Sequence, residues 1–191
     1  MSPVSSIRPV AAAVASGLLA AATGACGGLH SAPAPAESSH LDPPAVAAPP
    51  AAQAPVAPPE PQPVADGPCN YLTVAAAQAA NGQRVGAVRV SADRPHPACF
   101  FLGRDGKLQL RTWIVVATPE VARATVDAAT PVATSDPAEL PGGWSGGSQP
   151  TTDGAAFAVA RQGSAVVITT NQRQTISARQ IAEQVIATLG L

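Results

Sequence analysis

Aromatic residues make up 3% of this 191-residue chain and charged residues 12%, and each shortage narrows what the protein does. Eleven Lys and Arg against twelve Asp and Glu leave a net charge of −1, with Lys107 the single lysine. No basic stripe of the kind nucleic-acid binding needs can be drawn on such a chain, so no nucleic-acid partner is expected. Cysteine is equally scarce, at three residues, and none stands in a C-x-x-C pair. Scattered Cys69, His96 and Cys99 make a poor metal-ligand set, so neither a metal nor another cofactor is expected. With few aromatics, a core has to be built from Val, Ile, Leu and Ala, with Phe100, Phe101, Trp113 and Phe157 as its larger pieces.

Long apolar runs are missing too. The longest, Pro9 to Ala22, is about 14 residues, within the range of a signal peptide and short of the ~20 that cross a bilayer as a helix. It follows Arg8 and leads to Thr23-Gly24-Ala25-Cys26, small residues before a cysteine, as lipoprotein signal peptidase requires. Residues 1–25 therefore read as a signal peptide and Cys26 as the site of a thioether-linked lipid. The pattern departs from a lipobox at Thr23, where an aliphatic residue is usual. Ordinary secretion, with cleavage after Ala25, is the alternative. The expected location is the extracytoplasmic face of the cell membrane, and on the alternative the protein is released.

What the chain has in quantity is proline and glycine, 21 and 16 residues. Ser31 to Pro68 carries most of the prolines, with no basic residue, no aromatic and no periodic apolar face. Such a segment buries too little surface to offset its ordering entropy and is biased toward extended polyproline II. Residues 26–66 thus read as a lipidated cysteine followed by a disordered Pro/Ala tether. Its ~40 residues would reach ~120 Å at full extension and ~35 Å as a coil. Once Cys26 takes lipid, Cys69 and Cys99 remain, and an exported domain with two thiols most simply forms one disulfide.

From residue 67 to 191 a single α+β domain is expected. Leu72 to Ala80 is an Ala-rich helix stopped by Asn81-Gly82. Arg84 to Ser91 and Cys99 to Leu102 read as strands, and the latter turns at Arg104-Asp105-Gly106 into Lys107 to Ala117. Thr118-Pro119-Glu120 offers a cap, a first-turn proline and an early acid, so a helix is predicted over Pro119 to Ala129. Ala155 to Ala160 and Ser164 to Thr170 form a second hairpin. Ser177 to Leu189 carries one apolar stripe, Ala178, Ile181, Ala182, Val185, Ile186 and Leu189. The order αβββαββα predicts a mainly antiparallel sheet of about five strands, with about three helices gathered on one side.

Pro131 to Gly154 is long and turn-rich for a connection, and long loops often carry binding functions. Trp144 lies there between two glycine pairs. It reads either as a stacking platform, lid or partner contact, or as a plug folded back into the core. If the domain has one site, Gly143, Trp144, Ser145 and Gly146 are the candidate binding loop. Gly143 to Gly147 also satisfies G-x-S-x-G, but that chemistry needs a strand before Ser145, a helix after it and a later histidine. His30, His40 and His96 all lie upstream. No catalytic residue is assigned, and a hydrolase-like enzyme with an unrecognised site near this loop is the alternative.

The pieces GPCNYL, ANGQRV, PHPACFF, LPGGWSGG and VVITTNQ resemble those of the actinobacterial cell-envelope lipoproteins whose C-terminal domain has no assigned function. The likeness covers most of Gly67 to Leu191, and PACFF and PGGWSGG are its most specific parts. It implies export, a tethered α+β domain and a bond between Cys69 and Cys99, and it implies no activity. Together these readings predict a membrane-anchored, monomeric lipoprotein with a non-catalytic domain that binds an envelope lipid, glycan or protein.

Overall fold

The computed structural model describes residues 54–191. The leader, Cys26 and the tether as far as residue 53 lie outside them. Three helices and one antiparallel sheet follow in the order β1 (Ala65–Asp66), α1 (Val74–Asn81), β2 (Ala87–Val90), β3 (Cys99–Leu102), β4 (Leu108–Val116), α2 (Pro119–Ala129), β5 (Asp136–Leu140), β6 (Trp144–Thr151), β7 (Gly154–Arg161), β8 (Ser164–Thr170) and α3 (Thr175–Leu189). The sheet has eight strands, in the spatial order β1-β2-β3-β4-β8-β7-β6-β5, rather than about five. The additions are β1, β5 and β6, at the two edges.

Local chemistry fixes the helix ends. The Thr73 hydroxyl accepts from the Ala76 N–H at 3.1 Å to start α1, and Gly82, at φ 67°, closes it by donating to the Gln78 carbonyl. Thr118 caps α2 in the same way, with Pro119 in its first turn. Gly190, at φ 65°, ends α3.

The helices cover both faces of the sheet, not one. On the first face Ala178, Ile181, Ala182 and Val185 of α3, with Ala77 of α1, pack on Phe101, Leu110, Ile114, Phe157, Val159, Val166 and Ile168. On the second, Ala122 and Val126 of α2 pack on Trp113, Val115, Ala158, Ala160, Ala165 and Val167. The split follows the two-residue alternation of the central strands. In β7, Phe157 and Val159 point to α3 while Ala158 and Ala160 point to α2, and those small side chains let α2 lie close.

Cys69 and Cys99 are joined by a disulfide, with Cα atoms 5.6 Å apart, which fastens the segment before α1 to the start of β3. Tyr71 reinforces it: its hydroxyl donates to the Pro97 carbonyl at 2.8 Å and lies 2.9 Å from the Thr112 hydroxyl. Burial pushes the Tyr71 phenol well above its ordinary value, because the phenolate would have to form away from water. The folded state therefore holds the proton more tightly than the unfolded chain. Its contribution is complete below about pH 10 and is lost as pH rises above that. Unfolding titrations of Tyr71→Phe should show a flatter loss of stability above about pH 10 than the wild type, and equal slopes would overturn this assignment.

The domain also begins earlier than residue 67. Val64 donates to Val90 at 2.9 Å and Gly67 to Val88 at 3.2 Å, flanking the pairing of β1 with β2. Upstream, Pro61 is buried, and Glu60 holds Arg111 of β4 through two hydrogen bonds of 3.0 and 3.3 Å. The last stretch of the Pro/Ala segment is thus a strap lying on the domain.

Candidate functional site

The segment Pro131 to Gly154, expected as a loop, is largely the hairpin of β5 and β6 at the sheet edge. Gly142 and Gly143, at φ 87° and 85°, make the turn in a conformation that disfavours a side chain, which accounts for the glycine pair. Leu140 and Trp144 face each other across the turn, both buried in the α3-side core. Trp144 is 2% exposed, so it is the core plug and not a stacking platform. The guanidinium of Arg161 lies 5.2 Å from its ring centroid, and the same group donates to the Gly142 carbonyl at 3.4 Å, clipping the turn to the end of β7.

The other candidate residues have structural surroundings. Gly146 packs so close to β7 that a Cβ there would overlap the Ala158 carbonyl. Ser145, one residue on from Trp144, faces α2, where Arg123 donates to its hydroxyl at 2.9 Å and to its carbonyl at 3.4 Å. A guanidinium cannot take the serine proton. Ser145 sits within β6, opposite Ala160, not on the strand-to-helix elbow that its motif requires. His96 lies edge-on to Tyr71, with ring centroids 6.3 Å apart, beside β3. Three strands, β4, β8 and β7, separate β3 from β6. Cys99 is committed to the disulfide, which removes it from any metal-ligand set, and no group of three or more His, Cys, Asp or Glu able to hold a metal occurs among the described residues.

The hairpin instead forms one wall of two clefts, one on each side of the sheet. Toward α3, Leu140 and Pro141 face Glu183, Ile186 and Ala187 across a cleft of about 330 Å³, near the lower end of the range for small-ligand sites. Its lining is aliphatic except for Glu183, which pairs with Arg179 at 3.0 Å. Arg179 also donates to the Glu139 carbonyl at 2.9 Å and so ties α3 to β5. Toward α2 a smaller cleft of about 160 Å³ lies among Arg123, Val126, Asp127, Thr130, Val132 and Ser135, and it mixes charged and aliphatic walls.

A family model described as a domain of unknown function (DUF2020) matches residues 52–191. The chain belongs to that family. The match begins within the Pro/Ala segment, as the docked strap does, so the DUF2020 domain includes Glu60, Pro61 and β1. No curated protein matches the chain.

The α3 side of the cleft was hidden in the sequence. In the sequence Arg179 and Glu183 simply stand opposite the apolar stripe of the last helix, and Ile186 is one more member of that stripe. The available signal was that the stripe continues to Leu189, past the point at which its residues become fully buried: Ile186 and Leu189 are half-buried.

Proposed function

We propose that this protein is an exported lipoprotein, anchored through Cys26 on the extracytoplasmic face of the cell membrane, whose DUF2020 domain binds its ligand without transforming it. The ligand is an envelope lipid, and one of its aliphatic segments enters the cleft between the β5–β6 turn and α3. The observation that carries this reading is the cleft, with aliphatic walls at Leu140, Pro141, Ile186 and Ala187 and a single ion pair beside them. Burial of each methylene there contributes about 0.8 kcal/mol, and the Arg179–Glu183 pair offers hydrogen bonds to a polar headgroup. The leader and the tether sequence support placement at a membrane, where such a ligand is concentrated.

Native mass spectrometry of the full chain purified from its own envelope tests the binding. A co-purifying lipid is expected. Ala187→Phe, a change at an exposed cleft wall that leaves the core intact, should remove it. A wild-type protein that is consistently ligand-free, or an Ala187→Phe protein that retains the lipid, would sink the assignment. Cys26→Ala tests the anchor separately and should move the protein from the membrane to the soluble fraction.

A further inference from the structure

A second site lies on the other face of the sheet, away from the lipid cleft. Strand register puts Asp66, Arg89, Phe100, Arg111 and Thr169 on one rung, each directly opposite the next, and Phe100 marks this as the α2 face. Two arginines therefore flank one aromatic ring. Both guanidiniums are engaged by the chain's own acids: Arg111 by Glu60, in the fork geometry of a guanidinium gripping an oxyanion, and Arg89 by Asp66 at 3.2 Å.

The two partners in the main pair are unequally exposed. The Arg111 side chain is 12% exposed, and the Glu60 side chain that answers it is 68% exposed. Arg111 is held from the protein side by a 3.3 Å bond to the Thr169 hydroxyl, and its Nε is buried with no partner. A cation is thus built into the sheet while its counter-ion sits at the mouth, in contact with water. Upstream of β1, the strap that carries Glu60 is held by the burial of Pro61 and by the Glu60–Arg111 pair itself. Its backbone bonds to the sheet begin at Val64, and the prolines before that point have no N–H to offer.

We propose that Arg111, assisted by Arg89, is an oxyanion-binding site in which Glu60 is a built-in, displaceable occupant. The ligand is a phosphate group, free or on a lipid head. A phosphate reproduces the two hydrogen bonds of the Glu60 carboxylate and adds further acceptor oxygens for Arg89. Its arrival lifts the strap, which gives the site a second consequence: the segment leading toward Cys26 gains length when the anion binds.

Titration of the full chain with inorganic phosphate, followed by NMR at Glu60, Gln62 and the Arg111 guanidinium, tests the site. A parallel titration uses vesicles of phosphatidylglycerol in phosphatidylcholine. Saturable shifts are expected, with Glu60 and Gln62 moving toward random-coil positions. Glu60→Gln removes the internal competitor and should bind at least about fivefold more tightly, while Arg111→Gln should abolish binding. A response to phosphate identifies a free anion as sufficient, and a response to vesicles alone identifies the lipid head, so either result supports the site. If Glu60→Gln binds no more tightly than wild type, or its Arg111 signals stay unmoved in both titrations, Glu60 is a fixed clasp and the proposal falls. That decision needs only the Glu60→Gln protein, so it survives a failure of Arg111→Gln to fold.

Discussion

Replacement of Trp144 by Ala is expected to lower the unfolding free energy by about 3–5 kcal/mol, the usual cost of truncating a buried Trp. Trp144 is the largest of the fully buried side chains, so its removal leaves the largest single cavity available in this aromatic-poor core. The loss extends beyond volume. Arg161 would lose the ring beneath its guanidinium, and the turn at Gly142 would lose part of its clip. β5 pairs only with β6, so this edge strand depends on the β6 side of the hairpin, where Trp144 sits, for its place in the sheet. Urea unfolding followed by circular dichroism measures the change, and Trp144→Phe should recover more than half of it. A loss below about 1 kcal/mol would mean that Trp144 is not the plug described here.

The same hairpin marks where sequence reading stopped. α2 was legible to its end residues, because Thr118, Pro119 and Glu120 are each a local start signal and no tertiary contact is needed to place them. β4, β7 and β8 were legible from apolar runs. β5 and β6, with the sequences DPAEL and WSGGSQPT, carry Pro, Gly and Ser, which have poor intrinsic strand propensity. They are strands because β7 presents a ready edge and the glycines let the backbone come close to it. Pro137 is tolerated because β5 is the last strand of the sheet, where a missing N–H can face water. Context overrode propensity, and context is what a single sequence does not show.

The distribution of the helices had a signal that the helix pattern obscured. Every residue from Ala155 to Ala160 is buried, and its sequence, AAFAVA, has no polar alternation. A strand that is apolar on both sides needs cover on both faces, as in the centre of a layered α/β sheet. That requirement alone sends one of the three helices across the sheet. The strap is the opposite case: nothing in APVAPPEPQPV distinguishes Glu60 from a solvated acid, since the partner that orders it, Arg111, is 51 residues away. The Arg111 guanidinium beside it holds the Glu60 carboxyl below the ordinary carboxylate range, a consequence of the fold that local sequence does not encode.

Joint replacement of Cys69 and Cys99 by Ala is expected to cost about 3–4 kcal/mol and to lower the melting temperature by about 10–20 °C. The bond closes a loop with a sequence separation of 30, and in the chain-entropy account that loop length sets the magnitude. Cys99 is fully buried at the start of β3, so Ala is the appropriate replacement; Ser would add an unpaired hydroxyl and confuse the reading. Tyr71 and its bonds to Pro97 and Thr112 remain in the variant, so α1 should stay docked and the loss should appear in global stability, not as a detached helix. A double variant melting within about 3 °C of the wild type would show that the loop is already constrained without the bond. Combining it with Trp144→Ala sharpens the test. β3 and β6 lie four strand spacings apart, roughly 19 Å at ~4.8 Å each, so the two losses should add within about 0.5 kcal/mol. A larger deviation would mean that the edge hairpin and the disulfide-bonded end are energetically coupled in the folded state, with strain transmitted across the width of the sheet.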